Sequence, residues 1–112
     1  MKTSSRVQDS IRIVEVDGQL DASCVAEFRE SFLSEIENDS KVVLDCSNLQ
    51  YLDSSGLVTL LNIHKNLAAR DAKMILCGLS EGILRVITFT KLDKVLQLTD
   101  TLEDATQTLK AN

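Results

Sequence analysis

The sequence predicts an α/β fold, with a mixed, mostly parallel sheet, an antiparallel edge strand and about four helices. Short runs rich in β-branched residues alternate with segments whose apolar residues recur every three to four positions. Two of the short runs are built around an unbroken apolar segment, as in strands that are covered on both faces. The chain of 112 residues is long enough for one core and contains no proline and no linker-like segment, so we expect a single domain.

The first predicted elements are two short strands. The run SIRIVEV, residues 10–16, is rich in β-branched residues and predicts a strand. The preceding SSRVQ predicts an edge strand that pairs with it antiparallel, through a turn at Asp9 and Ser10. The following DGQLD, residues 17–21, is expected to end the strand, because a glycine and two acids interrupt its pattern.

A helix is expected next. Its apolar positions recur at helical spacing, namely Val25, Phe28, Phe32, Leu33 and Ile36. Asp21 stands where an N-cap residue is needed, and the polar run ENDS at 37–40 is expected to end the helix.

The middle of the chain predicts a central strand followed by a longer helix. KVVLDC, residues 41–46, is the strand, and residues 47–53 are predicted to be a connection that Leu49 and Leu52 hold in place. The helix is expected from Ser55 to about Arg70. The residues expected on its inner side are Leu57, Leu60, Leu61, Leu67 and Ala68.

The last third predicts two more strands, each followed by a helix. The strands are KMILCG at 73–78 and KVLQL at 94–98. Ser80 is expected to cap the first of these helices, and residues 99–101 lie near the cap of the second. Their inward positions are Ile83 and Ile87 in the first helix and Leu102, Ala105 and Leu109 in the second. Strands alternating with helices predict parallel pairing.

Composition narrows the range of functions. A net charge of −5 with scattered basic residues argues against nucleic acid as a partner. The three cysteines, Cys24, Cys46 and Cys77, lack the spacing of a metal site, and we expect Cys46 and Cys77 to be buried and reduced. No segment is long and apolar enough to span a membrane, and the first ten residues lack the apolar core of a signal peptide, so a cytoplasmic location is expected.

Three site classes find little support. A serine nucleophile needs a nearby base, and the only histidine, His64, follows Ser54 by ten residues on one helix, roughly 15 Å along its axis. Phosphate-binding glycine motifs are missing. A phospho-aspartate receiver would need an adjacent acid pair and a late lysine, and only Asp17 and Asp45 stand at comparable positions. We therefore expect no enzyme activity, no catalytic residue, no cofactor and no metal.

The stretch DSSG, residues 53–56, is the most suggestive chemically. It follows a central strand and opens a helix, where unpaired backbone N–H groups and the positive end of the helix dipole lie. Asp53 or Ser54 can satisfy one of these groups, and N-capping alone is the favoured local explanation. Gly56 leaves room for another protein to approach. A phosphate on Ser54 or Ser55 would meet hydrogen-bond donors there.

The whole chain resembles STAS domains of the bacterial anti-sigma factor antagonist family. Four segments carry the resemblance in the family's order: VDGQLDAS, VVLDCSNLQYLDSSGLVTLL, KMILCGLSEGILRVI and FTKLDKVLQLTDTLEDA. Together they cover residues 10–109, which would form the core of a single STAS domain spanning 1–112. The family usually has glycine where Lys91 stands, and proline is common where Glu81 stands; both departures lie outside DSSG.

The resemblance implies a partner-switching protein. The unmodified form would bind an anti-sigma factor that is also a serine kinase, and the sigma factor would be released. Phosphorylation, at Ser54 or as second choice Ser55, would end binding, and a serine phosphatase would restore it. Asp21, Asp53 and Gly56 would lie with the two serines on the partner-facing surface.

The same resemblance leaves other settings open. STAS domains also occur as subunits of lipid-transport ABC systems, as tails of anion transporters and as stressosome components. The lack of a membrane segment argues against a full transporter. Both serines of DSSG are present, which favours phosphorylation over a purely structural subunit.

Overall fold

The computed structural model describes residues 1–111 and confirms the predicted fold class. The elements in chain order are β1 (Lys2–Gln8), β2 (Ile11–Leu20), α1 (Val25–Glu35), β3 (Lys41–Leu52), α2 (Ser54–Ala68), β4 (Lys73–Cys77), α3 (Glu81–Phe89), a 3₁₀ turn (Leu92–Lys94), β5 (Gln97–Thr99) and α4 (Leu102–Lys110). The strands form one sheet in the order β1-β2-β3-β4-β5. β1 is antiparallel to β2, and the other pairs are parallel.

Helices cover both faces of the sheet. Residues of α1, α2 and α3 share one core cluster with the strands, whereas α4 packs on a second cluster formed by β2, β3 and β4. Neighbouring parallel strands joined by right-handed crossovers place their helices on one side, which explains the first group. α4 follows the last strand and contributes Ala105 and Leu109 to the opposite face.

The predicted edge hairpin is confirmed. Gln8 pairs with Ile11, and the two residues between them, Asp9 and Ser10, have φ angles of 54° and 64°. Positive φ at both central residues is the geometry of a type I′ turn, whose twist matches that of the flanking strands.

β2 and β3 are longer than predicted. Residues 17–20 pair with residues 48–52, so the expected break and the expected connection are both wrong. The pairing shifts register twice, and Gly18 has a φ of 116°, so bulges absorb the irregular pattern. Leu49 and Leu52 are buried as expected, and this burial holds the extended part of β3 on the core.

The prediction that Asp21 caps α1 is wrong. The N-cap is Cys24, which makes no side-chain cap bond. The Asp21 carboxylate instead accepts hydrogen bonds from the N–H and the hydroxyl of Ser23, while its backbone carbonyl accepts from Cys24 and Val25. A tight turn therefore precedes the helix, and the side chain of Asp21 is used within that turn.

The other elements differ from prediction mainly at their ends. Ser80 and Thr101 cap α3 and α4, as expected. In α2, Ala68 is exposed, whereas Ile63, which sequence reasoning missed, is fully buried. β5 begins at Gln97 and not at residue 94, because a 3₁₀ turn occupies that part of the chain.

The predicted burial of two cysteines and the predicted position of His64 can be compared with the structure. Cys46 and Cys77 are buried and free, and burial raises the pKa of the Cys77 thiol to about 12. His64 is partly buried, in keeping with a position at the core margin.

Candidate functional site

The candidate site lies where two adjacent parallel strands end. Leu20 and Leu52 are paired at the ends of β2 and β3. The next residues are Asp21 and Asp53, and the Asp53 N–H donates to the Leu20 carbonyl at 3.4 Å. The structure thus places DSSG at the carboxyl edge of the sheet, where ligand and partner sites of α/β folds collect.

Asp53 is the N-cap of α2 and also bridges to the loop after β2. One carboxylate oxygen accepts from the Gly56 N–H at 3.0 Å and from the Ser55 hydroxyl at 2.5 Å. The other oxygen accepts from the Ala22 N–H at 3.2 Å. The Ser55 hydroxyl first, and then the Gly56 N–H, hold the pKa of this carboxyl below its usual value. The ionised carboxylate of Asp53 therefore connects the loop after β2 to the first turn of α2.

The two serines have different environments. Ser54 is the first residue of α2 and is exposed, and its hydroxyl makes no hydrogen bond to any residue that the structure describes. Ser55 is partly buried, and its hydroxyl donates to Asp53. Only the Ser54 hydroxyl is thus both accessible and uncommitted.

Gly56 is buried, and its lack of a side chain allows α2 to pack closely on the ends of β2 and β3. A Cβ at this position would lie 2.5 Å from Leu52 Cδ1 and 2.6 Å from the Leu20 carbonyl oxygen. The space that a side chain would need is therefore already occupied by residues at the ends of β2 and β3. The interpretation that Gly56 makes room for an approaching protein is corrected accordingly.

The structure brings all five predicted site residues to one edge and adds an exposed apolar neighbour. Val58 is 56% exposed and lies one helical turn after Ser54 on α2. Sequence reasoning did not single it out, although its spacing of four residues from Ser54 was a usable signal. Ser54 and Val58 together offer a partner a hydroxyl and an apolar contact.

His64 does not join the site. It borders a surface cavity of about 400 Å³ together with Asp71, Met74 and Gln97, at the far end of α2. Among residues 1–111, no group of His, Cys, Asp and Glu side chains has the arrangement of a metal site. None of the helices described is long and apolar enough to cross a bilayer.

Comparison with known proteins gives a consistent result. The STAS domain family model matches residues 2–105. The anti-sigma-B factor antagonist of Listeria monocytogenes is 25% identical over 84 residues, which are 74% of this chain and 74% of that protein. The crystal structure of an anti-sigma factor antagonist from Mycobacterium paratuberculosis superposes with a TM-score of 0.88 at 24% identity, covering 97% of this chain and 93% of that one.

The anti-sigma factor antagonist SpoIIAA has been solved in two forms. The unphosphorylated form gives a TM-score of 0.74 at 21% identity, covering 99% of this chain and 100% of that one. The phosphorylated form of the Bacillus protein gives 0.69 at 22% identity, covering 96% and 99%. At these identities the solved structures establish a shared fold.

Proposed function

Because this chain belongs to the STAS domain family, we propose that it is an anti-sigma factor antagonist that phosphorylation of Ser54 switches off. In this proposal the unmodified protein acts in the cytoplasm, where it binds an anti-sigma factor with serine kinase activity and so releases a sigma factor. A serine phosphatase reverses the modification, and the chain itself catalyses no reaction. The observation that carries the proposal is the exposed, uncommitted Ser54 hydroxyl at the start of α2.

The environment of the hydroxyls favours Ser54 over Ser55. A kinase must bring the acceptor oxygen in line with a phosphoryl group, so the acceptor has to be reachable. Ser55 would first have to break its bond to Asp53, which helps to hold the helix cap together. Ser54 requires no such rearrangement.

Charge is the proposed means of switching. A phosphoserine carries roughly −1.5 to −2 charges near neutral pH. At residue 54 it would lie directly beside Asp53, which the lowered pKa keeps ionised, in a chain whose net charge is −5. The start of α2 favours a nearby anion, so the helix can tolerate the phosphate while the surface becomes repulsive to the partner. The fold need not change.

Mass spectrometry after incubation with the candidate kinase and ATP tests the site. We expect one phosphate on wild type and on Ser55→Ala, and none on Ser54→Ala. Ser55→Ala is the matched control because it removes the neighbouring hydroxyl and leaves Ser54 in place. Phosphate on Ser54→Ala at the wild-type level would contradict the assignment.

Binding tests the switch separately. We expect Ser54→Asp to bind the anti-sigma factor at least tenfold more weakly than Ser54→Ala, about 1.4 kcal/mol, because only the first adds charge. Equal affinities of Ser54→Asp and Ser54→Ala for the anti-sigma factor would contradict the charge mechanism. Co-purification of an ABC ATPase, in place of an ATPase-fold kinase, would overturn the proposed partner.

A further inference from the structure

The first strand presents an open edge to solvent. All seven residues of β1 are exposed, and β1 is the outermost strand of the described sheet. An edge of this length offers unpaired backbone groups to another strand. Its sequence, KTSSRVQ, contains no proline, which would prevent such pairing. Its only charged side chains are those of Lys2 and Arg6.

The hairpin fixes which backbone groups point outward. In a two-residue hairpin the residues that flank the turn, Gln8 and Ile11, exchange hydrogen bonds. Alternate residues back along β1 therefore also bond to β2. The N–H and C=O groups of the remaining residues, Thr3, Ser5 and Val7, face away from the sheet.

These outward groups are complementary to a second copy of themselves. If two β1 strands run antiparallel with Ser5 opposite Ser5, then Thr3 of each copy faces Val7 of the other. All three outward residues then meet outward residues and can form about six hydrogen bonds. The cross-strand pair of Thr3 and Val7 also covers part of the Val7 side chain, which is 56% exposed.

The basic side chains select this register over its neighbours. Centring the pair on Ser4 would place Lys2 opposite Arg6, and centring it on Arg6 would place Arg6 opposite itself. Like charges directly opposite each other destabilise strand pairs. Centring on Ser5 places Lys2 opposite Gln8 and Arg6 opposite Ser4, so that each cation faces a neutral residue.

We propose that this protein self-associates through β1, antiparallel and with Ser5 on the two-fold axis, to form a continuous sheet of both copies. The interface is isologous, so it closes at the dimer. β2 of one copy runs opposite to β2 of the other, and the two Ser54 sites therefore lie at opposite ends of the dimer. Each site stays open, so dimer formation and partner binding are independent.

Sedimentation equilibrium of the full chain tests the dimer. A single strand pair buries less surface than a standard interface, so we expect a reversible dimer with a dissociation constant on the order of 10–100 μM. The series therefore has to reach about 1 mM. A monomer throughout this range would overturn the proposal.

Two substitutions at Ser5 separate the backbone from the side chain. Ser5→Pro and Ser5→Ala both remove the hydroxyl, which donates to Glu35 and accepts from Arg12 at 3.1 Å. Only proline also removes the outward N–H. We expect Ser5→Ala to dimerise like wild type and Ser5→Pro to remain monomeric with an unchanged far-ultraviolet circular dichroism spectrum. Equal dimerisation of the two variants would contradict the strand pairing.

Cross-linking tests the register even if Ser5→Pro fails to fold. In a Cys24→Ser background, Ser5→Cys would place two Cα atoms about 5.5 Å apart, within reach of a disulfide. Ser4→Cys would place them about 8 Å apart, beyond reach. We expect covalent dimers for Ser5→Cys only. Equal cross-linking of both, or none at Ser5→Cys, would overturn the register.

Discussion

The Asp53 carboxylate accepts a hydrogen bond from the backbone N–H of Ala22 at 3.2 Å, across two neighbouring strand ends. The same carboxylate caps α2 through the Gly56 N–H. One side chain therefore holds the loop that follows Asp21 and the helix that begins with Ser54 in a fixed relation. The negative charge of Asp53 therefore holds the two segments of the site together, and the same partly exposed carboxylate contributes to the surface of the site.

The ionisation of Asp53 predicts a pH dependence of stability. Its pKa is lowered in the folded state, chiefly by the Ser55 hydroxyl and the Gly56 N–H. The contribution is therefore fully present above the ordinary carboxyl pKa of about 3.9 and is lost as pH falls through the lowered value. We expect thermal unfolding to show wild type more stable than Asp53→Asn near neutral pH, with the gap narrowing below about pH 4.

Asparagine is the suitable replacement because it remains a good N-cap through its one acceptor oxygen, and it removes the charge together with the bond that the second oxygen accepts from the Ala22 N–H. A gap between wild type and Asp53→Asn that stayed constant down to acid pH would mean that the charge contributes nothing. A gap that widened on acidification would reverse the predicted sign.

The close packing around Gly56 predicts that alanine substitutions at two helical glycines, Gly56 and Gly82, change the stability in opposite directions. Gly56→Ala would force a methyl group against Leu52 and the Leu20 carbonyl, at 2.5 and 2.6 Å. We expect a loss of about 1–3 kcal/mol in the free energy of unfolding by urea. Gly82→Ala is the control, since nothing lies within 4 Å of the position that its methyl group would take, and it should gain about 0.5–1 kcal/mol. Equal effects of the two substitutions would contradict the close approach.

The sequence could predict the elements at this site but not the contacts between them. Helical spacing and the DSSG stretch placed the start of α2 within one residue and narrowed its cap to Asp53 or Ser54, and the structure shows that the cap is Asp53. The bond from Ala22 to Asp53 and the contact of Gly56 with Leu20 join residues more than 30 positions apart. They depend on how β2 and β3 end side by side, and no local pattern encodes that geometry.

The extended ends of β2 and β3 escaped prediction for a related reason. Residues 17–20 and 47–52 carry glycine and polar residues that indicate a loop when either segment is considered alone. Paired with each other, they form a strand end with two register shifts. Tertiary pairing overrides the local preference because Leu20 and Leu52 are buried there.

The backbone conformation of Lys91 predicts that its replacement by glycine relieves strain and raises stability. Lys91 follows α3 with a φ of 63°, in the left-handed region, which glycine adopts at the least cost. A side chain in this conformation costs roughly 1 kcal/mol, part of which glycine loses again through its freer unfolded chain. We expect Lys91→Gly to raise the free energy of unfolding by about 0.5 kcal/mol in urea titrations. Lys91→Ala keeps the Cβ and therefore the strain, so it should not gain stability. If alanine stabilised the protein as much as glycine, loss of the lysine charge and not relief of strain would be the cause.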